Sequence, residues 1–148
     1  MRGEHRQAGY TLIEVLIVTV VLAIVVGIAL SSVTNALDKA KQRATMADMR
    51  TISKAIEVYQ TDHGFVPDDS GGLALLREVL IPYQSSVVPV DDHWGHAYGY
   101  SSEAAAGNYT LESYGKDGLD GDDITLATRR DFNRDIVLAN GQFLAAPE

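Results

Sequence analysis

From Tyr10 to Leu30 the chain is apolar except for Thr11, Glu14, Thr19 and Gly27. At about 1.5 Å per residue this 21-residue run covers roughly 30 Å, the thickness of a bilayer's hydrocarbon core. Helical spacing does not stop there. Leu37, Ala40, Ala44, Ala47, Ile52, Ile56 and Tyr59 recur at three- to five-residue steps, with Asp38, Lys41, Arg43, Asp48, Arg50, Lys54 and Glu57 on other faces. The stop comes at His63-Gly64-Phe65-Val66-Pro67, where glycine can take a left-handed cap and proline cannot continue. The pattern predicts one helix of about 54 residues, roughly 80 Å long. Its first half suits lipid, and its second half lays one stripe on a globular head.

The head reads as a small α+β unit. Gly71 to Leu80 predicts a short helix, Ala97 to Ser101 a strand, and Asn108 to Ser113 a second strand with Tyr109, Leu111 and Ser113 on one face. Asp135 to Ala139 and Gln142 to Leu144 flank Asn140-Gly141, a strong hairpin signal. The organisation expected is a leader over 1–9, a transmembrane half-helix over 10–30, an amphipathic half-helix over 31–63 and the head over 64–148.

Glu14 changes this picture. A carboxylate in hydrocarbon costs several kcal/mol and points to a function with a named partner. Cutting the chain after Gly9 would free the α-amine of Tyr10 four residues before Glu14, so cation and anion could neutralise each other within one subunit or between neighbours. Two plainer readings compete. A secretory signal peptide has an apolar region of only about 7–15 residues. A permanent single-pass anchor fits Arg2 and Arg6 on the cytoplasmic side but leaves Glu14 unexplained.

Composition narrows the function. The formal charge of −8 becomes −9 once Arg2, Arg6 and Glu4 leave with the leader, and such an acidic chain offers nucleic acid no basic face. Cysteine is absent, so disulfides and thiol chemistry are excluded. His63, His93 and His96 lack metal-ligand spacing and read as loop histidines rather than a zinc site. Trp94, Tyr98, Tyr100 and Tyr109 read as sheet packing, and Arg129, Arg130 and Arg134 as a solvated basic cluster near Asp131 and Asp135. No nucleophile elbow, phosphate loop or Ser/His/Asp pattern occurs, so the chain is not expected to be an enzyme.

A basic leader, Gly9, an aromatic Tyr10, Thr11-Leu12-Ile13-Glu14 and a membrane-length run together resemble the N-terminal signal of type IV pilins and type II secretion pseudopilins. The resemblance implies cleavage behind Gly9 by a prepilin peptidase, methylation of Tyr10, and an assembly role for Tyr10 and Glu14. Usually the first mature residue is Phe, so Tyr10 is a departure. Phe65-Val66-Pro67, Gly72-Leu73, Trp94-Gly95, Tyr109-Thr110-Leu111-Glu112-Ser113, Gly115-Lys116-Asp117-Gly118 and Asp122-Asp123-Ile124 resemble the major pseudopilin of type II secretion. What this implies is a pilin fold and a structural subunit of a periplasmic filament that drives protein export. The implied partners are further copies in a helical homopolymer, minor pseudopilins, the peptidase, an inner-membrane platform and a cytoplasmic ATPase. The implied placement is the bacterial inner membrane, N-terminus cytoplasmic and head periplasmic. A type IV pilus subunit and an anchored binding domain are the alternatives. Thr125 to Glu148 runs on where that subgroup usually ends.

Asp117-Gly118-Leu119-Asp120-Gly121-Asp122-Asp123 places four carboxylates within seven residues. Hard oxygen donors on a loop that glycine lets curl suit Ca²⁺, which takes six to eight oxygens; a solvated Asp/Gly turn is the plain alternative. The resemblance implies a structural Ca²⁺ held by Asp117, Asp122 and Asp123 with Ser113 and a backbone carbonyl near Leu111 or Glu112. Asp120 falls where the loop is about two residues shorter than the common form.

Overall fold

The computed structural model describes residues 9–81, 88–121 and 131–146. They form two units, divided after Leu37. Helix α1, Leu12–His63, contributes residues to both. Its start is fixed by Thr11, whose Oγ1 accepts the Glu14 N–H at 3.3 Å, an N-cap that satisfies one orphan donor of the first turn. Its end is Gly64, at φ 80°, whose N–H returns to the Gln60 carbonyl at 2.8 Å. The predicted stop is therefore borne out, and Ser31, Ser32 and Asn35 are carried without a break.

In the first unit every large aliphatic residue from Leu12 to Leu30 is at least half exposed. Thr19 Oγ1 donates to the Leu16 carbonyl at 2.9 Å, which satisfies inside the helix a hydroxyl that oil could not serve.

In the second unit, α1 packs through Gln42, Thr45, Met49, Ile52, Ser53, Ala55 and Ile56. This corrects the phase of the expected stripe. Leu37, Ala40 and Ala47 are exposed, while the polar Gln42, Thr45 and Ser53 are buried. The burial is made tolerable by partners. Ser53 Oγ and the Tyr109 hydroxyl share a 2.7 Å hydrogen bond, and Thr45 Oγ1 accepts the His93 N–H at 3.2 Å.

Helix α2, Gly72–Leu80, adds Leu73, Leu76 and Leu80 to the core. Strands β1 (Gly99–Glu103), β2 (Asn108–Ser113), β3 (Ile136–Ala139) and β4 (Gln142–Ala145) form an antiparallel sheet in the order β1-β2-β3-β4. The first strand begins two residues later than its pattern suggests, because Ala97 makes only an isolated bridge to Asp91. Strand β2 alternates as expected, with Tyr109, Leu111 and Ser113 buried. Asn140 at φ 48° and Gly141 at φ 81° make the tight β3–β4 turn. This hairpin is not an appendage: Ile136, Val137 and Leu138 are buried, and β3 pairs directly with β2. The architecture is α+β and pilin-like, a long apolar-ended helix with a four-stranded antiparallel sheet.

Candidate functional site

Two regions hold the residues that the sequence singles out. The first is the N-terminal motif. Gly9 and Tyr10 are exposed ahead of α1, and Glu14 stands exposed in its first turn, where a carboxylate also opposes the positive end of the helix dipole. This turn begins a run over which, among the described residues, nothing apolar is packed. Fully burying one large aliphatic side chain is worth about 1.5–3 kcal/mol, so covering the whole run is worth on the order of tens. By length and composition this stretch of α1 could cross a membrane.

The second region is the acidic loop after β2. Its base is built by the Asp92 turn. Asp92 is buried, and its Oδ1 accepts the N–H groups of Trp94, Gly95 and His96, each at 2.9 Å. Its Oδ2 accepts the Ser113 hydroxyl at 2.8 Å. His96 then reaches forward, donating from Nδ1 to the Gly115 carbonyl at 2.9 Å, while its ring fills the space over Gly118 that a Cβ would need. Gly115 sits at φ 60° with the carbonyls of Asn133 and Arg134 pressed against it, so no other residue fits without a shift. Beside it, the Lys116 N–H donates to the Phe132 carbonyl at 2.8 Å. Lys116 Nζ donates to Asp38 Oδ2 at 2.8 Å and thereby holds the Asp38 carboxyl below its usual range.

The loop itself turns on Asp117, whose Oδ1 accepts the Leu119 N–H at 3.2 Å, and the Gly118 N–H returns to the Tyr114 carbonyl at 3.1 Å. Asp117 and Asp120 are exposed. Asp135, from the segment before β3, accepts the Gly121 N–H at 3.3 Å. Glu112 is raised above an ordinary glutamate, first by burial and then by the charges of Asp120 and Asp135. Of the expected metal ligands, Asp117 is on the loop, Ser113 is buried beneath it with its proton committed to Asp92, and Leu111 and Glu112 lie within β2, each paired to both β1 and β3. Asp122 and Asp123 lie outside the described residues. Among the described residues no three His, Asp or Glu side chains gather closely enough to hold a metal. The three histidines stay apart in their roles: His63 stacks on Tyr59, His93 Nε2 pairs with Asp48 at 3.0 Å, and His96 serves the loop. Arg134 lies 3.9 Å from Asp131; Arg129 and Arg130 fall outside the described residues.

A family model described as "Type II secretion system (T2SS), protein G" matches residues 32–128. The chain belongs to the type II secretion protein G family. A second model, the prokaryotic N-terminal methylation motif, matches residues 5–30 of this pseudopilin, the stretch that holds Gly9, Tyr10 and Glu14. Curated relatives named "Type II secretion system core protein G" align along most of its length. The Pseudomonas aeruginosa protein is 31% identical over 80% of this chain and 89% of its own. The Escherichia coli protein is 28% identical over 84% and 94%, and the Vibrio cholerae protein 26% over 90% and 97%. The family match ends at residue 128, so the β3–β4 hairpin of this pseudopilin lies beyond it. Sequence reasoning missed Asp92 as the organiser of the loop's base. Its signal was the Asp91-Asp92-His93-Trp94-Gly95 turn, since an aspartate before such a turn commonly caps the following N–H groups.

Proposed function

We propose that this pseudopilin acts by polymerising, without catalysis of its own, as a structural subunit of the type II secretion pseudopilus. The observation that carries this reading is the bare apolar surface from Leu12 to Leu30 with Glu14 in its first turn. Before assembly the bilayer covers that surface. Arg2 and Arg6 favour a cytoplasmic N-terminus, which puts the head in the periplasm and the anchor in the inner membrane. A prepilin peptidase hydrolyses the bond after Gly9 and methylates the new amine of Tyr10. Glu14 is costly alone in hydrocarbon; the Tyr10 amine of an adjacent subunit neutralises it, which sets the axial register and draws each helix into a bundle with its neighbours. Minor pseudopilins, an inner-membrane platform and a cytoplasmic ATPase complete the machine, and growth of the filament drives secreted proteins outward.

Calcium belongs to the same reading. The oxygen-rich donor set of Asp117, Asp122 and Asp123 suits a hard cation, and a divalent charge would offset the repulsion that Asp120 and Asp135 exert on Glu112. Bound there, Ca²⁺ would supply electrostatic cross-linking of the loop; the chain's own contribution is the base built by Asp92, His96 and Lys116.

The experiment is the intact mass of the protein purified from cells that carry the secretion machinery. The expected mass begins at Tyr10 with one added methyl group, and a chain still starting at Met1 refutes the docking mechanism. For calcium, a chelator should lower the melting temperature of the full chain in detergent. An unchanged melt removes the cation from the account.

A further inference from the structure

The β3–β4 turn holds a reactive dipeptide under restraint. In Asn140-Gly141 the amide nitrogen after the asparagine belongs to a residue with no side chain, so nothing shields its approach to the carboxamide. Only Asn140 of the four asparagines precedes glycine. Both turn residues are exposed, so water has access. What restrains the reaction is the placing of the carboxamide, because both of its ends are taken. Asn140 Oδ1 accepts the Tyr109 N–H at 3.0 Å, and its Nδ2 donates to Asn108 Oδ1 at 3.2 Å. The backbone joins this clasp, since the Asn140 N–H donates to the Tyr109 carbonyl at 3.2 Å. Swinging the side chain from β2 onto the Gly141 nitrogen gives up both side-chain bonds. The turn itself is held at φ 48° and 81°, with the Glu57 carboxylate lying where a Cβ on Gly141 would sit.

We propose that Asn140 is a deamidation site gated by the hairpin, silent while the turn is clasped to β2 and converted once β3–β4 opens. In the open turn the Gly141 nitrogen gives its proton to hydroxide and attacks Asn140 Cγ. A C–N bond forms, and Nδ2 leaves as ammonia, taking a proton from water. The product is a five-membered succinimide. Water then opens the ring at either carbonyl, giving aspartate or an isoaspartate whose main chain runs through Cβ. The conversion is one-way. Isoaspartate adds a main-chain carbon to a two-residue turn and breaks its fit to the flanking strands. Either product also sets a carboxylate, which cannot donate, opposite Asn108 Oδ1. A head that has once opened is therefore marked, and it closes less well. This inference stands apart from the polymer reading.

The test follows residue 140 in the full chain, kept in detergent micelles at mildly alkaline pH. After an acid quench, trypsin cutting behind Arg134 releases 135–148, which contains no further lysine or arginine. Its mass and isoaspartate content are read against a synthetic peptide of the same sequence treated alike. Modification through an opened state is slowed by the opening equilibrium, so the native chain should convert at least about tenfold more slowly than the peptide. Asn108→Ala removes the acceptor of Nδ2 and should speed the native chain several-fold. Asn108→Asp keeps an acceptor and should preserve the slow rate. Leu138→Ala leaves the clasp residues in place but weakens the hairpin, and it should also speed conversion. When an aged wild-type sample is digested gently, the isoaspartate-bearing molecules should be lost first. Native conversion as fast as the peptide's overturns the proposal. So does an unchanged rate in either Asn108→Ala or Leu138→Ala, equal acceleration by Asn108→Asp, or isoaspartate chains as protease-resistant as the rest.

Discussion

Ser113 at the end of β2 donates its hydroxyl to buried Asp92, 21 residues earlier, at 2.8 Å. With three backbone N–H groups on its other oxygen, that carboxylate ties the Trp94-Gly95 turn to the root of the acidic loop. Ser113→Ala leaves a buried charge short of one donor, and hydrogen bonds to charged groups are worth about 1.5–3 kcal/mol. Thermal unfolding of the full chain in detergent should therefore show a loss of about 2 kcal/mol. Ser113→Thr, which keeps the hydroxyl, should recover part of it.

The hairpin after the acidic loop is structural. Leu138 is wholly buried and lies across from Leu111 in β2, itself wholly buried. Leu138→Ala should cost about 2–5 kcal/mol by transfer and cavity terms together. A chain truncated before β3 should fail to give a protease-resistant head. An unaltered melt for Leu138→Ala would contradict the packing described above.

Glu112 offers a test through pH. Burial first, and then Asp120 and Asp135, raise its folded pKa above the unfolded value. A carboxyl so shifted contributes stability while both states are protonated, and that contribution is lost as pH rises through the unfolded and then the folded value. In the presence of chelator, Glu112→Gln should therefore raise the melting temperature at pH 7 and leave it unchanged well below about pH 4. A variant less stable than wild type at neutral pH would reverse the sign of the argument.

Glu14→Leu removes the acid from the apolar segment while keeping its length. Insertion into the membrane should be retained, and sheared or secreted filaments should fall by an order of magnitude. Glu14→Gln, similar in shape but uncharged, should fail in the same way if charge is what matters. Normal filament yield from either variant would contradict the docking role of Glu14.

Much of this was legible in the sequence for reasons that are local. The long helix follows from an unbroken apolar and then amphipathic run, and its end from Gly64 and Pro67. The β3–β4 turn follows from Asn140-Gly141, whose residues accept positive φ. The buried face of α1 was not legible in the same way. Its phase is set by Tyr109 meeting Ser53 and by the His93 N–H meeting Thr45, partners 56 and 48 residues away that turn poor core residues into satisfied ones. The loop's base escaped for the same reason, since Asp92 acquires its role only when Ser113 and His96 converge on it. Asp135 and Gly121 likewise meet across 14 residues, so a reading of the loop alone misses the acid supplied from outside it.

Among the described residues no strand pairs outside β1 or β4, and the Ser102 N–H of β1 is taken by Asp69. Such margins offer amide and carbonyl groups that another backbone can match, and β4 adds an exposed Leu144 beside its row. With only five and four residues, these margins give an intruding strand little purchase. Lengthening β4, as a fused β-prone tag would, removes that protection and invites amyloid-like stacking of the heads.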